Sequence, residues 1–189
     1  MNKSNVFNAK NIEILESDDR KNWQNSQQII DLIDLKSHYV VIDLGCGSGY
    51  FSIPLSRRVN SVFGIDFQKE MLNYLKQKIE KNKIENIELL LSKANKVPLI
   101  KNCSNIILTV NTLHEFEDRN KVILEIYRLI DNNGRLVIID FKKEKTSFGP
   151  PMEIRISNAQ AINLFEKNGF KAIKSYDLKY HYLIIFQKV

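Results

Sequence analysis

The chain has 189 residues, 43% hydrophobic and 26% charged, values of an ordinary globular domain with one substantial core. Its 28 Lys and Arg against 22 Asp and Glu leave a net charge of +6, but the lysines are scattered beside Asn and Ile rather than gathered into a nucleic-acid stripe. No long apolar run is present, Met1–Lys10 are polar, and Cys46 and Cys103 are the only cysteines; the expectation is a reduced, cytoplasmic protein with no signal peptide, no membrane partner and no disulfide framework.

Residues 1–25 are polar, with apolar anchors at Val6, Phe7, Ile12, Ile14, Leu15 and Trp23. That is too much apolar surface for a solvated tail and too little to fold alone. The segment is expected to lie as a cap or lid over a site in a main domain spanning 26–189.

Ser26 can N-cap a helix to about Leu35, with Ile29, Ile30, Leu32 and Ile33 as its apolar face. A strand follows at Tyr39–Asp43, then a glycine turn, a helix from Tyr50 to Arg58, and a strand at Ser61–Asp66. Met71, Leu72, Leu75 and Ile79 fall at helical spacing within Gln68–Lys81. Strands are expected at Ile87–Leu91 and Asn105–Val110, the latter apolar throughout and so buried on both faces. A helix over Asp118–Ile130 is expected to end at Asn132-Asn133-Gly134, residues that favour the left-handed region. After a strand at Arg135–Asp140, Ser157 and Gln160 form a capping box for a helix that Gly169 stops near Asn168. Strands at Lys171–Leu178 and Tyr182–Gln187 are joined too tightly to be anything but antiparallel. The whole reads as an α/β fold: a doubly wound, mostly parallel seven-stranded sheet with an antiparallel C-terminal strand and helices on both faces.

The chemistry concentrates at Val40-Val41-Ile42-Asp43-Leu44-Gly45-Cys46-Gly47-Ser48-Gly49. An apolar strand ends in an acid and turns through three glycines, which let a ligand approach the backbone. About twenty residues on, a second apolar strand stops at Asp66, placed to grip the two hydroxyls of a ribose. The spacing is G-x-G-x-G. Tyr50 stands where a dinucleotide fingerprint has its third glycine, and no Gly-Lys-Ser/Thr phosphate loop is present. The unit reads as a nucleoside site.

The turn with its preceding acid resembles motif I of the class I S-adenosylmethionine (SAM) methyltransferases. Within that fold the chain is similar to the small proteins grouped with ubiquinone/menaquinone biosynthesis methyltransferases. The resemblance is carried by Leu15 to Trp23 with Asp19-Arg20, Gly49-Tyr50-Phe51, Asn111-Thr112-Leu113-His114-Glu115, Asp140-Phe141-Lys142-Lys143, Gly149-Pro150-Pro151 and His181-Tyr182. It implies SAM as cofactor. Asp43, Gly45, Gly47 and Gly49 would line its methionine and ribose side, Asp66 would take the ribose hydroxyls, and Phe67 would flank the adenine. Asn111 would hold the ammonium group through its backbone oxygen. Ser92, Lys93 and Ala94 fall where the adenine amine is bound. Lys93 occupies the place of the acid usual there, and a cation cannot accept from an amine; Ser92, Asn95 or a backbone oxygen would substitute.

Methyl transfer needs a base only when the nucleophile must shed a proton. His114 and Glu115 are the catalytic candidates, and Arg155, Tyr180 and His181 the candidates for substrate contact. On a strand, Tyr180 and Tyr182 would share one face and His181 the other. His38, His114 and His181 are the only histidines, and no second His stands four residues after His114, so no metal site is expected. The leading expectation is methyl transfer to a small-molecule acceptor. Alternatives are an RNA or protein methyltransferase, for which a continuous basic surface at the pocket mouth would speak, or a non-catalytic SAM-binding protein.

Overall fold

The computed structural model describes residues 7–189. Seven strands build one sheet: β1 Val40–Leu44, β2 Ser61–Asp66, β3 Ile87–Leu91, β4 Ser104–Val110, β5 Ile130–Phe141, β6 Phe170–Asp177 and β7 His181–Lys188. Their order is β3-β2-β1-β4-β5-β7-β6. The first five are parallel, and β7 runs antiparallel to both β5 and β6. This is the expected doubly wound sheet. Chain order reverses between β1 and β4, which opens a crevice at the carboxyl ends of the strands.

Alternation along the strands splits the core in two. Ile42, Ile65, Ile107, Ile138 and Ile184 face one side, under α6 (Arg119–Leu129) and α7 (Asn158–Glu166). Val41, Val62, Ile106, Val137 and Ile185 face the other, under α3 (Ser26–Asp31) and α4 (Ser52–Ser56). Helix α5 (Lys69–Lys81) packs on β2 and β3 through Leu72 and Leu75. Near-continuous apolar strands are what a parallel sheet covered on both faces requires.

Several boundaries differ from the sequence expectation. Asn25, not Ser26, caps α3, its side chain accepting from the Gln28 N–H. The helix stops short of Leu35 because Asp34 takes φ 51°. After α6, none of Asn132, Asn133 and Gly134 enters the left-handed region; the chain passes directly into an extended segment from Ile130. Gly134 serves a different need, since a Cβ there would lie 2.6 Å from Ile130 Cγ1. The capping box at Ser157 and Gln160 is formed as expected.

Within 7–25 the chain forms a 3₁₀ turn at Ala9–Asn11 and two short helices, α1 (Ile12–Leu15) and α2 (Asp18–Trp23). The expected lid begins before them, and residues 1–6 lie outside the described residues. Among the described residues no helix is long and apolar enough to cross a membrane.

Candidate active site

A cavity of about 1180 Å³ opens at the carboxyl ends of β1, β2, β4 and β5. It exceeds the roughly 300–1,000 Å³ of a single-ligand pocket, which leaves room for a cofactor and an acceptor together. One end is the glycine turn. Gly45 and Cys46 donate their N–H groups to the Ile65 carbonyl at 2.8 and 3.0 Å, clamping the turn across β2. Gly45 has φ +80°, and a Cβ there would lie 2.5 Å from Thr112.

Asp66 stands across the turn. One carboxylate oxygen accepts from the Gly47 N–H at 2.9 Å and the other from the Gln68 N–H at 2.9 Å. Two of about four acceptor sites are used, so two remain toward the cavity, the number a ribose diol needs. Phe67 beside it is 50% exposed, leaving its ring free to cover a base. Asp43 is buried and accepts from Ser52 Oγ at 2.5 Å. Burial above all, with the charge of Asp66 adding to it, pushes its carboxyl up to about 6.

Beside Asp66, just past the end of β3, Ser92, Lys93 and Ala94 line the cavity. The Ser92 hydroxyl donates to the Lys96 carbonyl at 2.6 Å. Its proton is committed, and its oxygen is left as an acceptor. Lys93 is exposed at the rim.

Asn111 ends β4 with φ +55°. Its amide exchanges hydrogen bonds of 3.1 and 3.2 Å with Gln24, a residue of the N-terminal segment. His114 is buried against Asp140, with Nδ1 2.8 and 3.1 Å from the two carboxylate oxygens. Burial disfavours the imidazolium, but the hydrogen bond and charge of Asp140 outweigh it, and the His114 pKa is raised. Glu115 accepts from the Phe7 N–H at 3.0 Å. Burial pushes its carboxyl up to about 7, against the pull of His114.

The apolar end of the cavity is aromatic: Trp23, Phe141, Phe148 and Tyr180. Trp23 packs 5.0 Å from Phe148, and Phe148 4.9 Å from Tyr180, centroid to centroid.

The cavity thus brings together Asp43, Gly45, Gly47, Asp66, Phe67, Ser92, Lys93, Ala94, Asn111, His114, Glu115 and Tyr180. Three expected residues do not reach it. Gly49 is turned to α5, where a Cβ would lie 2.2 Å from Leu75; its φ of +79° serves helix packing. Arg155 is buried behind the wall, its guanidinium donating to the carbonyls of Pro150, Lys142, Glu144 and Phe148 and to Thr146 Oγ1. It holds the loop that follows β5. His181 lies beneath Trp23, rings stacked at 5.5 Å. Because β7 starts at His181, Tyr180 is off the strand and turns to the cavity, while Tyr182 packs in the core.

Sequence reasoning singled out Arg20 and Asp140 only as part of a resemblance, and it missed Gln24, which bonds the cavity-lining Asn111. A charged residue in a polar segment reads as solvated; its burial comes from tertiary packing.

A family model described as a methyltransferase domain matches residues 35–181. The chain belongs to this methyltransferase family. It is 30% identical to a SAM-dependent methyltransferase from Aquifex aeolicus, with a TM-score of 0.92 over 97% of this chain and 100% of that one. Among curated proteins it is 28% identical over 123 residues to the demethylmenaquinone methyltransferase of Oceanobacillus iheyensis, a match covering 64% of this chain and 51% of that protein. It is 25% identical over 112 residues to the uncharacterized methyltransferase YcgJ of Bacillus subtilis, covering 59% and 44%. The chain spans about half the length of these curated relatives. Family and fold together make it a class I SAM-dependent methyltransferase, with SAM the cofactor this implies.

Proposed function

We propose that this protein transfers a methyl group from SAM to a small organic acceptor, in the cytoplasm. The observation that carries this reading is one cavity joining the glycine turn and Asp66 to a buried His114–Asp140 pair and an aromatic wall. Relatives named as demethylmenaquinone methyltransferases support the small-molecule half of it. Two unpaired cysteines fit a reducing compartment.

The cofactor's contribution is an electrophilic methyl carried on sulfur. The chain's own residues supply the rest. Asp66 has two acceptor sites left for the ribose hydroxyls, and the Asn111 carbonyl is the acceptor for the ammonium. Ser92 Oγ, rather than an acid, accepts from the adenine amine, with Phe67 over the base and Lys93 and Ala94 beside it. His114 acts as general base. With Nδ1–H donated to Asp140, its neutral ring keeps the Nε2 lone pair for the acceptor's proton. Glu115 sits 4.0 Å from Nε2 and favours the imidazolium once the proton arrives. Trp23, Phe141, Phe148 and Tyr180 exclude water and hold the apolar part of the acceptor.

Labelled SAM incubated with small-molecule and macromolecular fractions of a cell extract tests the reading. Label entering small molecules, and lost in His114→Ala, supports it. Label entering only RNA or protein, or SAM binding without turnover on any fraction, overturns it.

A further inference from the structure

His181 is fully buried, and among the described residues neither of its ring nitrogens has a hydrogen-bond partner. A neutral imidazole can use one partner as donor and one as acceptor, and this site supplies neither. The ring is held by its faces instead. Trp23 stacks on it at 5.5 Å with the planes 12° apart, and Phe141 packs against it at 4.3 Å. Trp23 is the last residue of α2, in the N-terminal segment, whereas His181 opens β7 and Phe141 ends β5. The stack is therefore a joint between that segment and the sheet, at the aromatic end of the cavity.

The charges His181 feels are all positive: Arg20 from α2, Arg155 from the loop beyond β5, and Lys142 just after β5. The carboxylates nearby are engaged or turned away. Asp140 pairs in register with Tyr182 rather than His181 and so lies on the opposite face, bonded to His114. Asp177 holds Lys142 at 2.6 Å, and on α2 Asp18 pairs with Lys21. Asp19, Lys143, Glu144, Lys145, Glu153 and Lys179 are exposed to solvent. Burial first, then Arg20, Arg155 and Lys142, hold the His181 pKa down at about 3, against an ordinary 6.5. An imidazolium would gain from the indole face, but less than it loses as a buried charge with no hydrogen-bond partner. Trp23 supplies much of that cover and Arg20 part of that charge, and both belong to the N-terminal segment. Opening the segment removes the two together.

We propose that His181 is a pH-sensitive latch for the N-terminal segment: its neutral ring holds Trp23 over the aromatic end of the cavity, and its protonation in mild acid releases the segment. Once opened, the ring meets water and titrates as an ordinary histidine. Closure is then complete above pH 6.5 and weakens as the pH falls below it, down to the closed-state value. Between pH 7.5 and 5 the ratio of closed to open protein should fall about thirtyfold. Hydrogen exchange of the whole protein at the two pH values reads this ratio, with each rate expressed as protection relative to an unstructured chain at the same pH. Protection at Trp23 and Gln24 should fall about thirtyfold while amides of β4 stay protected. His181→Phe keeps a ring between Trp23 and Phe141 but cannot charge, and His181→Gln cannot charge either; in both, protection at Trp23 and Gln24 should vary little with pH. Glu115, which holds the Phe7 N–H and titrates near 7, is kept in both variants, so the difference from the wild type isolates His181. Protection that does not change with pH in the wild type, a comparison that needs no variant, overturns the inference. So does a loss that persists in the variants, or one shared equally by β4, which would be acid unfolding of the whole domain.

Discussion

His114 Nδ1 lies 2.8 Å from Asp140 Oδ1, and both side chains are buried at the wall of the cavity. The pair fixes the tautomer and raises the His114 pKa. A base must be neutral to accept a proton, so methyl transfer should rise with pH through a pKa above the ordinary 6.5 of histidine. Asp140→Asn removes the charge that sustains the imidazolium. The rising limb should then move to lower pH, while the plateau rate falls about a hundredfold as the ring loses its held tautomer. A limb that stays in place in the variant would show that another group is the base.

Glu115 gives a stability prediction of definite sign. Its carboxyl titrates near 7 in the native protein, against an ordinary value of 4.5. The native state therefore holds the proton more tightly than the unfolded chain. The resulting stability is full below pH 4.5 and is lost as pH rises through 7, on the order of a few kcal/mol in all. His114, also raised, acts in the same direction. Glu115→Gln stays neutral and can still accept from the Phe7 N–H. Melting temperature between pH 5 and 8 should fall less steeply in Glu115→Gln than in the wild type; parallel slopes would contradict the assignment.

Asp66 should dominate nucleoside affinity. Asp66→Ala is expected to weaken S-adenosylhomocysteine binding by about ten- to a hundredfold, the loss of a charge-assisted bond of roughly 1.5–3 kcal/mol. Its bonds to the Gly47 and Gln68 N–H groups are lost too, so the turn should also exchange faster. Unchanged affinity by calorimetry would remove Asp66 from the site.

Lys93 lines the rim where an acceptor for the adenine amine is wanted. With Ser92 Oγ available as that acceptor, Lys93→Asp should leave affinity for S-adenosylhomocysteine intact or tighten it a few-fold. A marked weakening would mean that Lys93 itself touches the ligand.

Strand positions were legible in the sequence because a parallel sheet forces apolar runs, and β2 and β3 fall at the expected residues. Asp43, Gly45, Gly47 and Asp66 were legible because backbone geometry at the turn restricts the residue types that fit. Gly49 misled because a left-handed turn and a close helix contact select glycine alike. Arg155 misled because a buried guanidinium can spend all its donors within the protein, here on four carbonyls and the Thr146 hydroxyl. Arg20 and Gln24 gave no periodic signal: Arg20 sits on a helix of only six residues that ends at Gln24, and the groups that hold them to the sheet, Tyr50 and Asn111, lie far along the chain.

The segment 7–25 should behave as a lid. Its attachments include the Phe7 N–H on Glu115, Gln68 on the Phe7 carbonyl, Glu16 on Lys78, Gln24 on Asn111 and Tyr50, Arg20 over Tyr50, and Trp23 on His181, Phe141 and Phe148. Each joins the segment to an element that lines or supports the cavity. Short terminal helices held by such contacts open locally at a cost below that of global unfolding. A ligand that fills the space beneath Leu15 and Trp23 should close the segment more firmly. Hydrogen exchange across Phe7–Trp23 should therefore slow on adding S-adenosylhomocysteine. Equal, unprotected exchange in both states would make it a tail, and equal strong protection a fixed part of the fold.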